Sequence, residues 1–215
     1  MIRVVLCDDH ALTRRGIRDT LVEDPAIEVV GEASDYGSLR SLLRTVICDV
    51  LVLDIHLPTR SGLDVMAALK DEGSTVKVLV LSMYPEDQYA IRALKGGAHG
   101  YLNKAADPQS IVEAVRMVAA GRKYVTPEIA QMLVQSLTEP DAGPMHDRLS
   151  ARELQTLQMI ASGKRLADIA DALALSPKTV SVYRARVLEK LGMNNNAELT
   201  VYAIRQGLVG GETAI

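Results

Sequence analysis

The chain has 215 residues, 48% of them hydrophobic and 24% charged, with a formal net charge of −3. That balance excludes a disordered chain and fits one large or two small globular domains. No apolar run approaches the ~20 residues that a helical membrane span needs, and Asp8 and Asp9 interrupt the N-terminus too early for a signal peptide. A cytoplasmic protein is expected, with an aliphatic core, since the chain has no Phe or Trp. Cys7 and Cys48 each sit in an apolar stretch and are expected to be buried free thiols.

Residues 2–121 alternate short apolar runs with helical patterns. The segments 2–7, 27–33, 49–54, 77–82 and 100–103 are rich in Val and Leu and do not alternate apolar with polar. Such runs suit a parallel sheet buried on both faces. Between and after them lie helical patterns at about 10–23, 36–45, 62–72, 86–96 and 108–121. The expected fold is a (βα)5 doubly wound, flavodoxin-like sheet. Residues 122–147 form a connector. "TPEIAQMLVQSL" within it predicts one helix, with Thr126 as N-cap and Pro127 in the first turn. "TEPDAGPMHD" then carries two prolines and a glycine and reads as a flexible linker. From 148 to 210 no strand pattern appears, and four helices are predicted at about 150–162, 166–174, 177–191 and 195–207. Charge divides the same way: net −3 over residues 1–122 and +2 over 146–215.

In an open α/β sheet, ligands bind beyond the carboxyl ends of the strands. Strand 1 ends in Asp8 and Asp9, strand 3 in Asp54, strand 4 in Ser82, and strand 5 near Lys104. Two adjacent carboxylates at the end of a buried strand repel each other unless a cation compensates them. One Asp at a strand end is commonplace, and "DD" alone is ordinarily a solvated turn. Five chemically matched residues at one sheet edge are another matter. Carboxylate oxygens suit Mg²⁺, which takes a few protein oxygens at roughly 2.0–2.1 Å and keeps several waters. Lys104 and Ser82 would then meet further oxygens of a phosphoryl group held at Asp54, a carboxylate able to act as nucleophile.

The words "VVLCDDH", "DVLVLDIHLPTRSGLDVM", "VLVLSMY" and "GAHGYLNKA" make residues 1–121 resemble a response-regulator receiver domain. The resemblance implies Asp54 as phosphoacceptor, Asp8, Asp9 and Asp54 as Mg²⁺ ligands, and His56 as a ligand through its backbone carbonyl. It also implies Ser82 and Tyr101 as a switch pair, in which the hydroxyl moves toward the phosphate and the ring turns inward. The His56 side chain is expected over the acceptor site, where it would tune phosphate lifetime. Many receivers follow the lysine with Pro. Here Ala105 follows Lys104, so no cis peptide is assumed.

In the C-terminal segment, Ser150 with Glu153 is a capping-box pattern, and Leu154, Leu157, Ile160 and Ala161 form an apolar stripe. Ser176 and Pro177 start a helix whose Val180, Tyr183, Val187, Leu188 and Leu191 share an inward face. Lys178, Ser181, Val182, Ala185 and Arg186 share the opposite face, with Arg184 on the flank. Charge alone would fit a solvated surface helix. The capped short helix, tight turn and basic helix together make a helix-turn-helix, whose last helix enters the major groove. Lys178, Thr179, Arg184 and Arg186 are the candidate phosphate contacts, and Ser181, Val182 and Ala185 the candidate base contacts. "LSPKTVSVYRARVLEKLG" is similar to the LuxR-type helix-turn-helix, and the two halves together resemble a NarL/FixJ-type response regulator.

The implied function is transcriptional regulation controlled by a histidine kinase, with double-stranded DNA as partner, a homodimer as the binding form and no enzyme activity. Two alternatives stand beside it. One is a helix-turn-helix regulator whose receiver only dimerises. The other is a phosphohydrolase of the haloacid dehalogenase type, which needs an Asp two residues after its nucleophile. This chain has His56 there.

Overall fold

The computed structural model describes residues 1–57, 60–83, 86–138 and 145–209. The chain divides into two compact units, Met1–Thr138 and Glu139–Ile215.

The first unit contains five parallel strands: β1 (Ile2–Cys7), β2 (Ile27–Ala33), β3 (Val50–Asp54), β4 (Lys77–Ser82) and β5 (Gly100–Asn103). Their order in the sheet is β2-β1-β3-β4-β5, and every pairing is parallel. The helices are α1 (Ala11–Val22), α2 (Tyr36–Leu43), α3 (Gly62–Asp71), α4 (Glu86–Lys95), α5 (Pro108–Ala119) and α6 (Pro127–Thr138). Each lies within a few residues of its expected place.

The central strands are largely apolar because both of their faces are covered, whereas edge strand β2 exposes Glu28 and Glu32. Val4 and Leu6, Val50 and Val52, and Leu79 and Leu81 pack with Ile17 and Leu21 of α1 and Ile111, Val115 and Val118 of α5. Side chains alternate across a strand, and the intervening Val5, Cys7, Leu51, Leu53, Val78 and Val80 are buried as well. The strand order reverses direction between β1 and β3, so the carboxyl ends of these two central strands flank the switch point where such folds bind ligands.

The connector expected at 122–147 is partly built into this unit. Tyr124 bridges Gly100 at the outer edge of β5, donating its backbone N–H to His99 and accepting from Tyr101. This covers an edge that would otherwise present unpaired backbone groups. Thr126 caps α6 through Ile129 N–H, and α6 packs on α4. Residues 139–144 of the expected flexible linker lie outside the described residues. Beyond them, Met145–Arg148 forms a 3-10 turn, and buried His146 meets the Tyr202 hydroxyl at 3.0 Å.

The second unit contains α7 (Ala151–Ala161), α8 (Leu166–Ala172), α9 (Pro177–Leu191) and α10 (Asn196–Arg205). Its packing runs through α7, which contacts α8, α9 and α10. The capping box predicted at Ser150 and Glu153 is present, as is the Ser176 cap of α9. Helix α8 ends two residues earlier than expected. Ala174 takes a left-handed backbone, φ 52°, inside the tight turn that leads to α9. Gly192, φ 63°, closes α9 as expected of a left-handed cap.

Candidate phosphoryl-acceptor site and nucleic-acid interface

The parallel register brings the five strand-end residues Asp8, Asp9, Asp54, Ser82 and Lys104 to one sheet edge. Cys7 pairs with Leu53, Asp54 with Leu81, and Ser82 with Asn103. Asp8 and Asp54 are 4% and 2% exposed, and Ser82 is fully buried. Lys104 follows β5 directly. Its backbone N–H donates to the Ser82 carbonyl at 2.8 Å, which ties the β5 loop to the end of β4.

The Lys104 ammonium lies 2.7 Å from Asp8 Oδ2 and 2.8 Å from Asp54 Oδ2. One cation is therefore shared by two buried carboxylates. Apart from that shared ammonium those two oxygens have no partner among the described residues, while each Oδ1 accepts a backbone N–H, Asp8 from His10 at 2.8 Å and Asp54 from His56 at 3.2 Å. Arg14 reaches back to the Asp8 carbonyl at 2.6 Å and pairs with Glu32, which fixes the β1–α1 loop. Burial pushes the Asp54 carboxyl above its usual range. The Lys104 ammonium opposes that shift, and the neighbouring Asp8 charge adds to it.

Asp8, Asp9, His10 and Asp54 each offer one ligand atom, all within 4.8 Å of one another. Hard, under-compensated oxygens at that spacing fit a divalent cation. The sequence pattern by itself assigns His10 no role. Its Nδ1 lies 2.7 Å from Asp9 Oδ1 and 3.5 Å from Asp8 Oδ1. The available signal is its position directly after the two aspartates.

Gly62 sets the acceptor loop. Its N–H donates to the Ile55 carbonyl at 2.8 Å, and a Cβ there would sit 2.3 Å from the Asp54 carbonyl oxygen. Only glycine lets α3 start this close to β3. The His56 ring meets Tyr89 of α4 edge-on, with centroids 5.8 Å apart, and so joins the acceptor loop to α4. Tyr101 is fully buried. No cis peptide occurs among the described residues. Cys7 is buried and Cys48 half-buried; both are free, and burial raises their thiols to about 12 and about 11, well clear of thiolate reactivity.

In the second unit, α8, the turn at Leu173–Ser176 and α9 form the helix-turn-helix. Val180, Val187 and Leu191 of α9 are buried, with Tyr183 and Leu188 half-buried. Lys178, Ser181, Val182, Ala185 and Arg186 are exposed, Val182 by 43%. Two expected DNA contacts are engaged within the fold. Thr179 Oγ1 lies 2.8 Å from the capping Ser176 hydroxyl, and Arg184 Nε donates to Asn196 Oδ1 at 2.5 Å. Lys190 is committed to buried Glu153 at 2.6 Å, so its charge is structural.

The chain belongs to the response regulators with a LuxR-type DNA-binding domain: residues 4–116 match the response regulator receiver domain, and residues 147–203 match the bacterial regulatory proteins of the luxR family. It is a phosphorylation-controlled DNA-binding transcriptional regulator of a two-component system, paired with a histidine kinase and promoter DNA. Among individual relatives, it is 40% identical to the response regulator UvrY of Escherichia coli K12 over 99% of this chain and 98% of that protein. It is 38% identical to the response regulator GacA of Pseudomonas protegens, covering 97% and 98%. Its fold is similar to RcsB from Salmonella enterica serovar Typhimurium bound to promoter DNA with the phosphomimetic BeF3⁻, at TM-score 0.65 and 25% identity over 94% of this chain and 97% of that one. Among the described residues, no helix is long and apolar enough to cross a membrane.

Proposed function

We propose that Asp54 is the residue that takes the phosphoryl group. The observation that carries this is the single Lys104 ammonium bridging Asp8 and Asp54, two buried carboxylates at the switch point of the sheet. In the transfer, a carboxylate oxygen of Asp54 forms a bond to phosphorus as the phosphorus–nitrogen bond of the donor's phosphohistidine breaks. The donor imidazole leaves with that electron pair. Lys104 neutralises charge on one phosphoryl oxygen and Ser82 donates a hydrogen bond to another. Asp8, Asp9, Asp54 and the His56 carbonyl would hold Mg²⁺, which would supply charge neutralisation at the phosphoryl oxygens. Arg14 and the backbone N–H of His10 keep Asp8 oriented for that role.

Ser82 and Tyr101 serve as the switch pair, on adjacent strands β4 and β5, with Ser82 closing β4 and Tyr101 opposite Val80 two residues before it. The receiver function resides in residues 1–121, with 122–147 as connector and 148–210 as the DNA-binding domain. The protein works in the cytoplasm as a homodimer. The DNA-binding domain has only nine basic residues over 146–215, and Lys190 is already paired. One copy therefore offers few phosphate contacts, and two copies on one duplex gain by effective concentration. Helix α9 enters the major groove, with Lys178 and Arg186 at phosphates, Thr179 and Arg184 joining them by exchanging their contacts with Ser176 and Asn196, and Ser181, Val182 and Ala185 at base edges.

Labelling with acetyl phosphate or phosphorylated kinase tests the assignment. Asp54→Asn is expected to abolish labelling, and Asp8→Asn or Asp9→Asn to weaken it with a raised Mg²⁺ requirement. Undiminished labelling of the Asp54→Asn protein overturns the proposal. Sedimentation and a DNA titration with and without phosphorylation test the dimer. Unchanged oligomeric state and DNA affinity in the fully phosphorylated protein would remove it.

A further inference from the structure

We propose that His10 is a ligand of the cation site, through Nδ1, and that it opens the site to nitrogen-preferring first-row transition metals; this rests on the acidic cluster's being a cation site. Three features carry the inference. His10 occupies the N-cap position of α1 in an extended conformation, φ −85° and ψ 103°, and makes no side-chain cap hydrogen bond. Where Ser, Asp or Asn would close the helix, this side chain turns to the carboxylates. Its Nδ1 is 2.7 Å from Asp9 Oδ1 and 3.5 Å from Asp8 Oδ1. Finally, the donor atoms of Asp8, Asp9, His10 and Asp54 lie within 4.8 Å of one another. An octahedral ion with ligands at about 2.1 Å separates neighbouring donors by about 3.0 Å and opposed donors by about 4.2 Å. The cluster needs only a small contraction to meet that shape.

Two nitrogens face these carboxylates, and they differ in kind. The Lys104 ammonium has no lone pair, so a metal ion can only repel it. A neutral imidazole protonated at Nε2 presents a lone pair at Nδ1. The side chain is 63% exposed and free to shift by the fraction of an ångström that replaces its contact with Asp9 by a bond to a metal. A set of carboxylates suits Mg²⁺ and Mn²⁺, whereas imidazole adds preference for Ni²⁺ and Zn²⁺. The competing account is that His10 is only a countercharge to Asp9 and leaves when a cation enters.

The experiment uses the full chain with Mn²⁺ and Ni²⁺ as probes. Pulsed electron paramagnetic resonance of bound Mn²⁺ is expected to show modulation from a directly bonded imidazole nitrogen, absent in His10→Gln. The Ni²⁺-to-Mg²⁺ affinity ratio, from competition against Mn²⁺, should fall by at least about tenfold in His10→Gln, since even an outer partner of a metal ligand is worth that much. Mg²⁺ affinity itself should change little. Bound Mn²⁺ without nitrogen modulation overturns the inference while leaving the cation site standing. So does modulation that persists in His10→Gln, or an unchanged affinity ratio. Failure of the wild-type protein to bind Mn²⁺, or binding that survives Asp54→Asn together with Asp9→Asn, overturns both the inference and the cation site beneath it.

Discussion

Asp54→Asn should make the receiver more stable when no divalent cation is present. Lys104 at 2.8 Å attracts the Asp54 charge by about 6 kcal/mol at an effective dielectric constant of 20. Asp8 and Asp9, at up to 4.8 Å, each repel it by about 3.5 kcal/mol, the Asp9 share being reduced by solvent. Burial of the charge costs several kcal/mol more. Asparagine keeps the shape and an oxygen for Lys104, a bond to a charged donor worth about 1.5–3 kcal/mol. Lys104 keeps Asp8 as its charged partner at 2.7 Å, so no unpaired charge is left, and the variant should gain about 1–4 kcal/mol, the scale found when a whole buried ion pair is replaced by apolar residues. The direction agrees with an Asp54 carboxyl raised above 3.8 by burial. Such a group loses stability as pH rises from its unfolded value past its folded one. The gain should thus be absent below about pH 3.8 and complete only above the raised folded value. Urea denaturation followed by far-UV circular dichroism in chelator measures it. Mg²⁺ at a hundredfold its Kd should add about 2.7 kcal/mol to the wild type and less to the variant. An Asp54→Asn protein equal to or weaker than wild type in chelator would refute the shared-cation account of the site.

Gly62→Ala should destabilise the receiver by about 1–3 kcal/mol, because the new Cβ meets the backbone of Asp54 and Ile55, which cannot step aside; melting curves and the rate of acetyl-phosphate labelling should fall together. Asp49 is held at about 2 by the hydrogen-bonding Arg3 guanidinium. Its contribution to stability is full above 3.8 and lost as pH falls through about 2, so Asp49→Asn should flatten the acid limb of a pH–stability curve. His56→Asn removes the edge-on contact with Tyr89, and should change the dephosphorylation rate without preventing phosphorylation; an unchanged decay rate would leave the contact purely structural. Arg186→Ala should weaken binding to all DNA sequences and lower the salt slope by about one unit. Val182→Ser should instead shift base preference at a cost of roughly 1–3 kcal/mol for the best site, as titrations against selected and random duplexes would show.

Features set by local order are legible in the sequence. The strands announce themselves because a sheet buried on both faces needs unbroken apolar runs, and their carboxyl ends place Asp8, Asp54, Ser82 and Lys104 together once the (βα)5 order is accepted. Helix starts are legible at Thr126, Ser150 and Ser176 because a cap acts over three residues. Pairings across long separations are not. Nothing local says that Arg184 turns to Asn196, or that Lys190 serves Glu153; the Lys190 charge is neutralised, and Arg184 keeps its charge but must leave Asn196 to reach a phosphate. Ala174 escapes for a different reason. A left-handed residue is normally signalled by Gly or Asn, and here the turn imposes that backbone on an alanine. Tyr124 resembles connector because strand pairing at a sheet edge is a property of the edge, and one residue carries no period. His10 shows the same limit at the site itself. Its neighbours supply a reason to look for a cation, but its own direction depends on the break between β1 and α1, which only the backbone reveals.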